Sequence, residues 1–207
     1  MRHIQFTLFA DGPTDRALLP VLGWLIRETH RPDTIAHEFL SKPELRSDLS
    51  FTAQLQTALD FAPCDILFIH RDAEKQDPQL RYDQIGKAIA LLSASHAKIP
   101  HVCVVPVRMT EAWLLADERA IRKAAANERG TAQIDLPKLS RIESLPDPKA
   151  KLHELLRAAS GKNGRRLASF DTSEAAALVP GHMSSFAPLR QLGAFKRLEA
   201  DLRQLSL

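Results

Sequence analysis

The chain is expected to form an α/β domain: a sheet of about four parallel strands with helices on both faces, followed by a helical C-terminal extension. Three observations carry this. Short apolar runs alternate with amphipathic segments through the first 120 residues, each run ends on turn or charged residues, and the spacing suits βα units with right-handed crossovers. At 207 residues, 44% hydrophobic and 26% charged, the sequence has the composition of one globular domain with a real core.

Each element has a local reason. Ile4–Phe9 reads as a strand, Ala10-Asp11-Gly12-Pro13-Thr14 as a tight loop, and Ala17 to Ile26 as a helix capped by Thr14. A weaker strand spans about Ile35 to Leu40. An amphipathic helix follows from Phe51 to Phe61, with Leu55, Ala58, Leu59 and Ala62 on one face. Asp65 to His70 is a compact apolar strand ending on charge, Tyr82 to Ala97 has helical spacing at Ile85, Ala88, Ile89 and Leu92, and Val102 to Val107 is a fourth strand. Thr110 to about Asn127 reads as a helix or helical pair, with Asp117 capping its second part. Residues 128–148 read as an irregular excursion with Gly130, Pro137, Pro146 and Pro148. Two further helical patterns, Pro148 to Ser160 and Pro188 to Leu205, flank the turn Gly161-Lys162-Asn163-Gly164-Arg165-Arg166. The division this suggests is a core over residues 1–127 and a helical extension over 128–207 packed on it.

Charge and cysteine usage narrow the function classes. Net charge is +3, divided unevenly: residues 1–118 carry 12 Lys/Arg against 16 Asp/Glu, and residues 119–207 carry 16 against 9. An acidic first part and a basic last part suit a cation site beside a phosphate-binding surface, and equally suit solvated basic helix faces. Cys64 and Cys103 have neither zinc-site nor disulfide-framework spacing, and no apolar run is long enough to span a bilayer. These features point to a cytoplasmic protein with buried thiols.

The chemistry is concentrated at strand ends. Asp11 follows the first strand, Asp72 and Glu74 the third, and Glu111 lies four residues beyond Val107 of the fourth. The carboxyl ends of parallel strands share one edge of the sheet, so these acids are expected to converge as hard oxygen ligands for Mg²⁺ or Mn²⁺. In an extended Asp72-Ala73-Glu74 both carboxylates point the same way. As an isolated motif, such a pair is more often a solvated loop.

Gly12 and Thr14 have two readings: turn and cap, or a helix N-terminus offering N–H groups to phosphate. Arg71, Arg108, Arg165 and Arg166 are further candidates for phosphate contact, each with a surface reading beside it. His70 is read as a hydrogen-bonded histidine before a metal ligand, and Trp113 as a core anchor before a base-stacking platform. Receiver-type phosphoacceptor domains also place acids after strands one and three, but no fifth strand with its lysine is evident.

These residues resemble a known family. Asp11-Gly12-Pro13-Thr14-Asp15 resembles the E-G-x-T-D segment after the first Toprim strand, and His70-Arg71-Asp72-Ala73-Glu74 resembles its D-x-D segment. Thr110-Glu111-Ala112-Trp113-Leu114-Leu115-Ala116-Asp117 is similar to the E-x-W-L-L-x-D segment of small bacterial relatives of the OLD-family nucleases. The resemblance covers about 120 residues.

It implies a Toprim-like fold and Mg²⁺- or Mn²⁺-dependent hydrolysis of nucleic-acid phosphodiesters, DNA or RNA, with the family's association with phage defence or DNA repair. Asp11, Asp72, Glu74 and Glu111 would be the catalytic, metal-holding acids, with Asp15 assisting. The sequence departs from the pattern at two places: aspartate stands for glutamate at 11, and glutamate for aspartate at 74. Each keeps the charge and moves it by more than an ångström. The alternative implied by those departures is a non-catalytic Toprim-like module working with an ATPase partner.

Overall fold

In a computed structural model of the chain, which describes residues 1–45 and 48–206, four strands form one parallel sheet: β1 (His3–Ala10), β2 (Thr34–Ser41), β3 (Ile66–His70) and β4 (His101–Val104). Their order is β2-β1-β3-β4. Helix α1 (Leu19–His30) connects β1 to β2, α2 (Phe51–Phe61) leads to β3, and α3 (Pro78–Ala90) leads to β4. The C-terminal part is helical: α4 (Glu111–Leu114), α5 (Glu118–Ala124), α6 (Pro148–Ser160), α7 (Gly164–Ala168), α8 (Thr172–His182) and α9 (Gly193–Arg203).

Alternation along each strand divides the core into two layers. Phe6, Leu8, Phe68, Val102 and Val104 face one layer with α1, α4–α6, α8 and α9. Phe9, Leu67 and Ile69 face the other, against Leu55, Ala58 and Leu59 of α2 and Ile85 and Ala88 of α3. The first layer runs without a break from Ile4 to Leu202, so β1 and the C-terminal helices share one core. At its centre the Trp113 indole meets Phe195 edge-on, ring centroids 5.4 Å apart.

Several boundaries differ from those the sequence suggests. Thr14 does not cap a helix. Pro13–Leu18 is a 3₁₀ turn, and the Asp15 carboxylate accepts the Gly12 N–H at 2.8 Å. The α-helix proper starts only at Leu19, with Pro20 in its first turn, where a missing N–H costs nothing. Helix α3 starts earlier than expected, at Pro78, because the Asp77 side chain accepts the Gln79 N–H and caps it. It also ends earlier, at Ala90, and β4 stops at Val104, two residues before Pro106. The region read as a mere turn before the last helix contains α7 and α8. No helix among the described residues is long and apolar enough to cross a membrane.

Candidate functional site

The chain leaves β1 toward β2 on one side and returns in β3 on the other, so the crevice at the carboxyl ends of β1 and β3 is the topological switch point of the sheet. Asp11 stands at the end of β1 and Asp72 two residues beyond the end of β3.

His70, the last residue of β3, is fully buried and organises the centre. Its Nδ1 lies 2.9 Å from the Val104 carbonyl, a contact that requires the proton on Nδ1. That leaves Nε2 facing Asp15 Oδ1 at 3.5 Å, Asp72 Oδ1 at 3.4 Å and the Thr110 hydroxyl at 3.3 Å. A neutral imidazole would put a lone pair against two carboxylates, so the arrangement favours a charged ring. His70 is accordingly held above its ordinary value: burial opposes the charge, but the hydrogen bond it donates to Asp15 and the charges of Asp72 and Asp15 outweigh it.

Asp72 accepts the Thr110 N–H at 3.0 Å. Burial pushes its carboxyl up to about 7; His70 opposes the rise, while Asp15, Glu111 and Asp11 add to it. Four carboxylates therefore act on one another at this sheet edge, and a half-buried acid among like charges is a common feature of functional sites.

Cations surround the cluster. Lys42 and Arg71 both reach the Asp11 carboxylate, Arg71 Nε at 3.4 Å, and both lie over the Phe51 ring, each 5.1 Å from its centroid. Lys149 of α6 stands 3.6 Å from Glu111 Oε1. Arg81 donates to the Asp72 carbonyl at 2.9 Å.

The expected pairing of Asp72 with Glu74 is absent. Glu74 has a left-handed backbone, φ 55°, which breaks the extended alternation and turns its side chain outward to Arg81, 3.5 Å away. Its carboxylate is 68% exposed. Arg108, φ 65°, is a second left-handed residue, and its carbonyl accepts the Glu74 N–H at 2.7 Å, so the two unusual residues brace each other.

The phosphate-contact candidates divide similarly. The Gly12 N–H is already taken by Asp15, whereas Thr14 lines a cleft beside the acids. Arg71 is committed to Asp11 and to Gln84 at 3.0 Å. Arg165 and Arg166 are exposed on α7 and are not among the charges that act on Asp72.

That cleft, of about 80 Å³, is bounded by Asp15 and Glu111 on one side and by Lys149, His153 and Ser173 on the other. Burial and the charges of Lys149 and Arg157 hold His153 below its ordinary value; its ring meets the Thr172 hydroxyl at 3.1 Å. Sequence reasoning missed this wall entirely. Lys149 and Ser173 gave no motif, although Asp171, which caps α8 through the Ser173 and Glu174 N–H groups, was a readable signal for that helix.

The fit to a divalent ion is one of donor chemistry. Asp11, Asp15, Asp72 and Glu111 offer hard oxygens, and the charges of Asp15, Glu111 and Asp11 add to the rise that burial imposes on Asp72. Among the described residues, however, no three His, Cys, Asp or Glu side chains stand together in metal-ligating geometry.

Fold and site together define an α/β protein with a cation-fringed acidic cluster at its switch point. Compared with protein-family models, curated proteins and solved structures, the chain matches none.

Proposed function

We propose that this chain is a Mg²⁺- or Mn²⁺-dependent hydrolase of nucleic-acid phosphodiester bonds. The observation that carries the reading is Asp72: a half-buried carboxyl at the switch point, raised to about 7 in the company of Asp15, Glu111 and Asp11. Asp11, Asp72 and Glu111, with Asp15 in place of the outward-turned Glu74, would have to draw together to hold the ion, since they do not stand in ligating geometry here. A bound ion supplies a water acidified to neutral pKa and compensates charge on the leaving oxygen. The protein's own part is to fix the acids through Thr110, His70 and the Gly12–Asp15 turn, and to present Lys149 to phosphate. Two free, separate cysteines agree with a cytoplasmic setting.

A second reading, a non-catalytic Toprim-like module serving an ATPase partner, draws support from the same edge. Asp11 is already paired with Lys42 and Arg71, Glu111 with Lys149, and Glu74 points away.

Cleavage of labelled DNA and RNA panels with Mg²⁺ or Mn²⁺ separates the two. The hydrolase reading expects Asp72→Asn and Glu111→Gln each to lower the rate by roughly 100-fold or more, with Glu74→Gln close to wild type. Equal turnover by wild type, Asp72→Asn and Glu111→Gln would remove it; absence of any metal-dependent turnover favours the second reading.

A further inference from the structure

The cleft beside the acids borders two further cavities in turn. It shares Thr14 and Ala17 with a second cavity of about 350 Å³ between the Pro13–Leu18 turn and the far end of α8. That cavity shares Arg16 and Pro20 with a third, about 410 Å³, between α1 and the open edge strand β2. We infer that these three cavities form the path of a single-stranded nucleic acid whose scissile phosphate lies at the acidic cluster, an inference that rests on the hydrolase reading and adds the form of the substrate and the direction from which it arrives.

The argument is one of charge and surface type. Beyond the inner cleft no carboxylate lines these cavities among the described residues, whereas Arg16, Arg27, His37 and His182 do. The acids end where the path begins, so the field changes sign along it, from a cation site to a polyanion track. Between the cations the lining is apolar, with Pro20 and Leu178 prominent, and Leu178 is 50% exposed although it belongs to a packed helix. A lining that mixes apolar and basic side chains suits splayed bases with their phosphates on the cations; a duplex hides its base faces and would leave the apolar part unused. The Arg16 guanidinium already lies over Phe39, 4.4 Å from the ring centroid.

The test is binding in EDTA, which separates it from catalysis: fluorescence anisotropy of labelled dT and rU 12-mers and of a 12-base-pair duplex across a salt series. Arg16→Ala with Arg27→Ala is expected to weaken single-strand binding by about 10-fold or more and to reduce the slope of log affinity against log salt by roughly 1.4. Arg119→Ala with Arg129→Ala, an equal charge change outside all three cavities, is expected to change either little. Arg27→Ala with His182→Ala leaves the Arg16–Phe39 contact intact and is expected to weaken binding in the same way. Equal losses in path and control variants, no binding of any 12-mer, or a duplex bound as tightly as a single strand would each overturn the inference. Cavities that bind as described, in a protein that cuts nothing with Mg²⁺ or Mn²⁺, would uphold the path and remove the hydrolase reading alone.

Discussion

His70 donates its Nδ1 proton to the main-chain carbonyl of Val104 across the β3–β4 pair at 2.9 Å. That bond aims the other ring nitrogen at Asp15 and Asp72, so a strand-to-strand contact in the sheet interior sets the electrostatics of the site at its edge.

The ion-free protein should lose stability as pH rises. Asp72 titrates near 7 in the folded chain against 3.8 for the free side chain, so between those values the folded state binds more protons. The stability linked to it is complete below about pH 4 and is lost as pH climbs through about 7. His70, raised from 6.5, acts in the same direction: its contribution is complete below its ordinary value and is lost as pH passes its folded value. We expect the Tm in EDTA to fall by roughly 5–10 °C between about pH 5 and 8, reflecting a few kcal/mol, and to fall less in Asp72→Asn. A Tm that rises over that interval contradicts this account of Asp72.

Position 74 should tolerate, and even prefer, glycine. A left-handed backbone costs an ordinary residue about 1 kcal/mol that glycine does not pay, and the Glu74 carboxylate contributes one exposed ion pair to Arg81. Urea denaturation should give Glu74→Gly a stability between that of wild type and about 1 kcal/mol above it. Glu74→Val, with a branched side chain at positive φ, should be less stable than wild type.

Phe195→Ala is expected to cost about 3–5 kcal/mol in the same measurement, because the ring is fully buried between Trp113 and Trp24. A loss under 1 kcal/mol would mean that α9 is an appendage and not part of the core.

Cys103 should be slow toward alkylation. Burial, aided by Asp201, pushes its thiol up to about 11, and burial also raises Cys64. With iodoacetamide at about pH 8, Cys103 should react about 100-fold more slowly than a free thiol, and Cys64 also more slowly than a free thiol, in the folded protein only.

How much of this was legible in the sequence depends on which signals are local. Strands β1 and β3 and helices α2 and α6 stand close to where periodicity puts them, since uninterrupted apolar runs and single-faced helices report their own burial. Strand-end reasoning also brought Asp11, Asp72 and Glu111 to one edge, and all three take part in the electrostatics of Asp72. Glu74 was misread because a left-handed residue without glycine has no signature. Asp15 was underrated because Thr14 looked the better cap, although Pro13 favours the tight turn that Asp15 closes. Helix α8 escaped notice because its apolar residues, among them Ala175, Ala176, Leu178 and Val179, surround it without forming a single face, and Pro180 and Gly181 read as breakers.

The place of β1 in the sheet has a further consequence, for synthesis. Within the sheet, β1 is an interior strand made before either of its neighbours: Thr34 pairs with His3 across 31 residues, and Ile66 with Phe6 after a similar further stretch. Phe195 and Leu198, which belong to the same core layer, are translated later still. For on the order of ten seconds or more the nascent chain must carry Phe6, Leu8 and Phe9 without the residues that bury them. Its yield in the cell should therefore depend on chaperone supply and elongation rate more than its final stability would suggest.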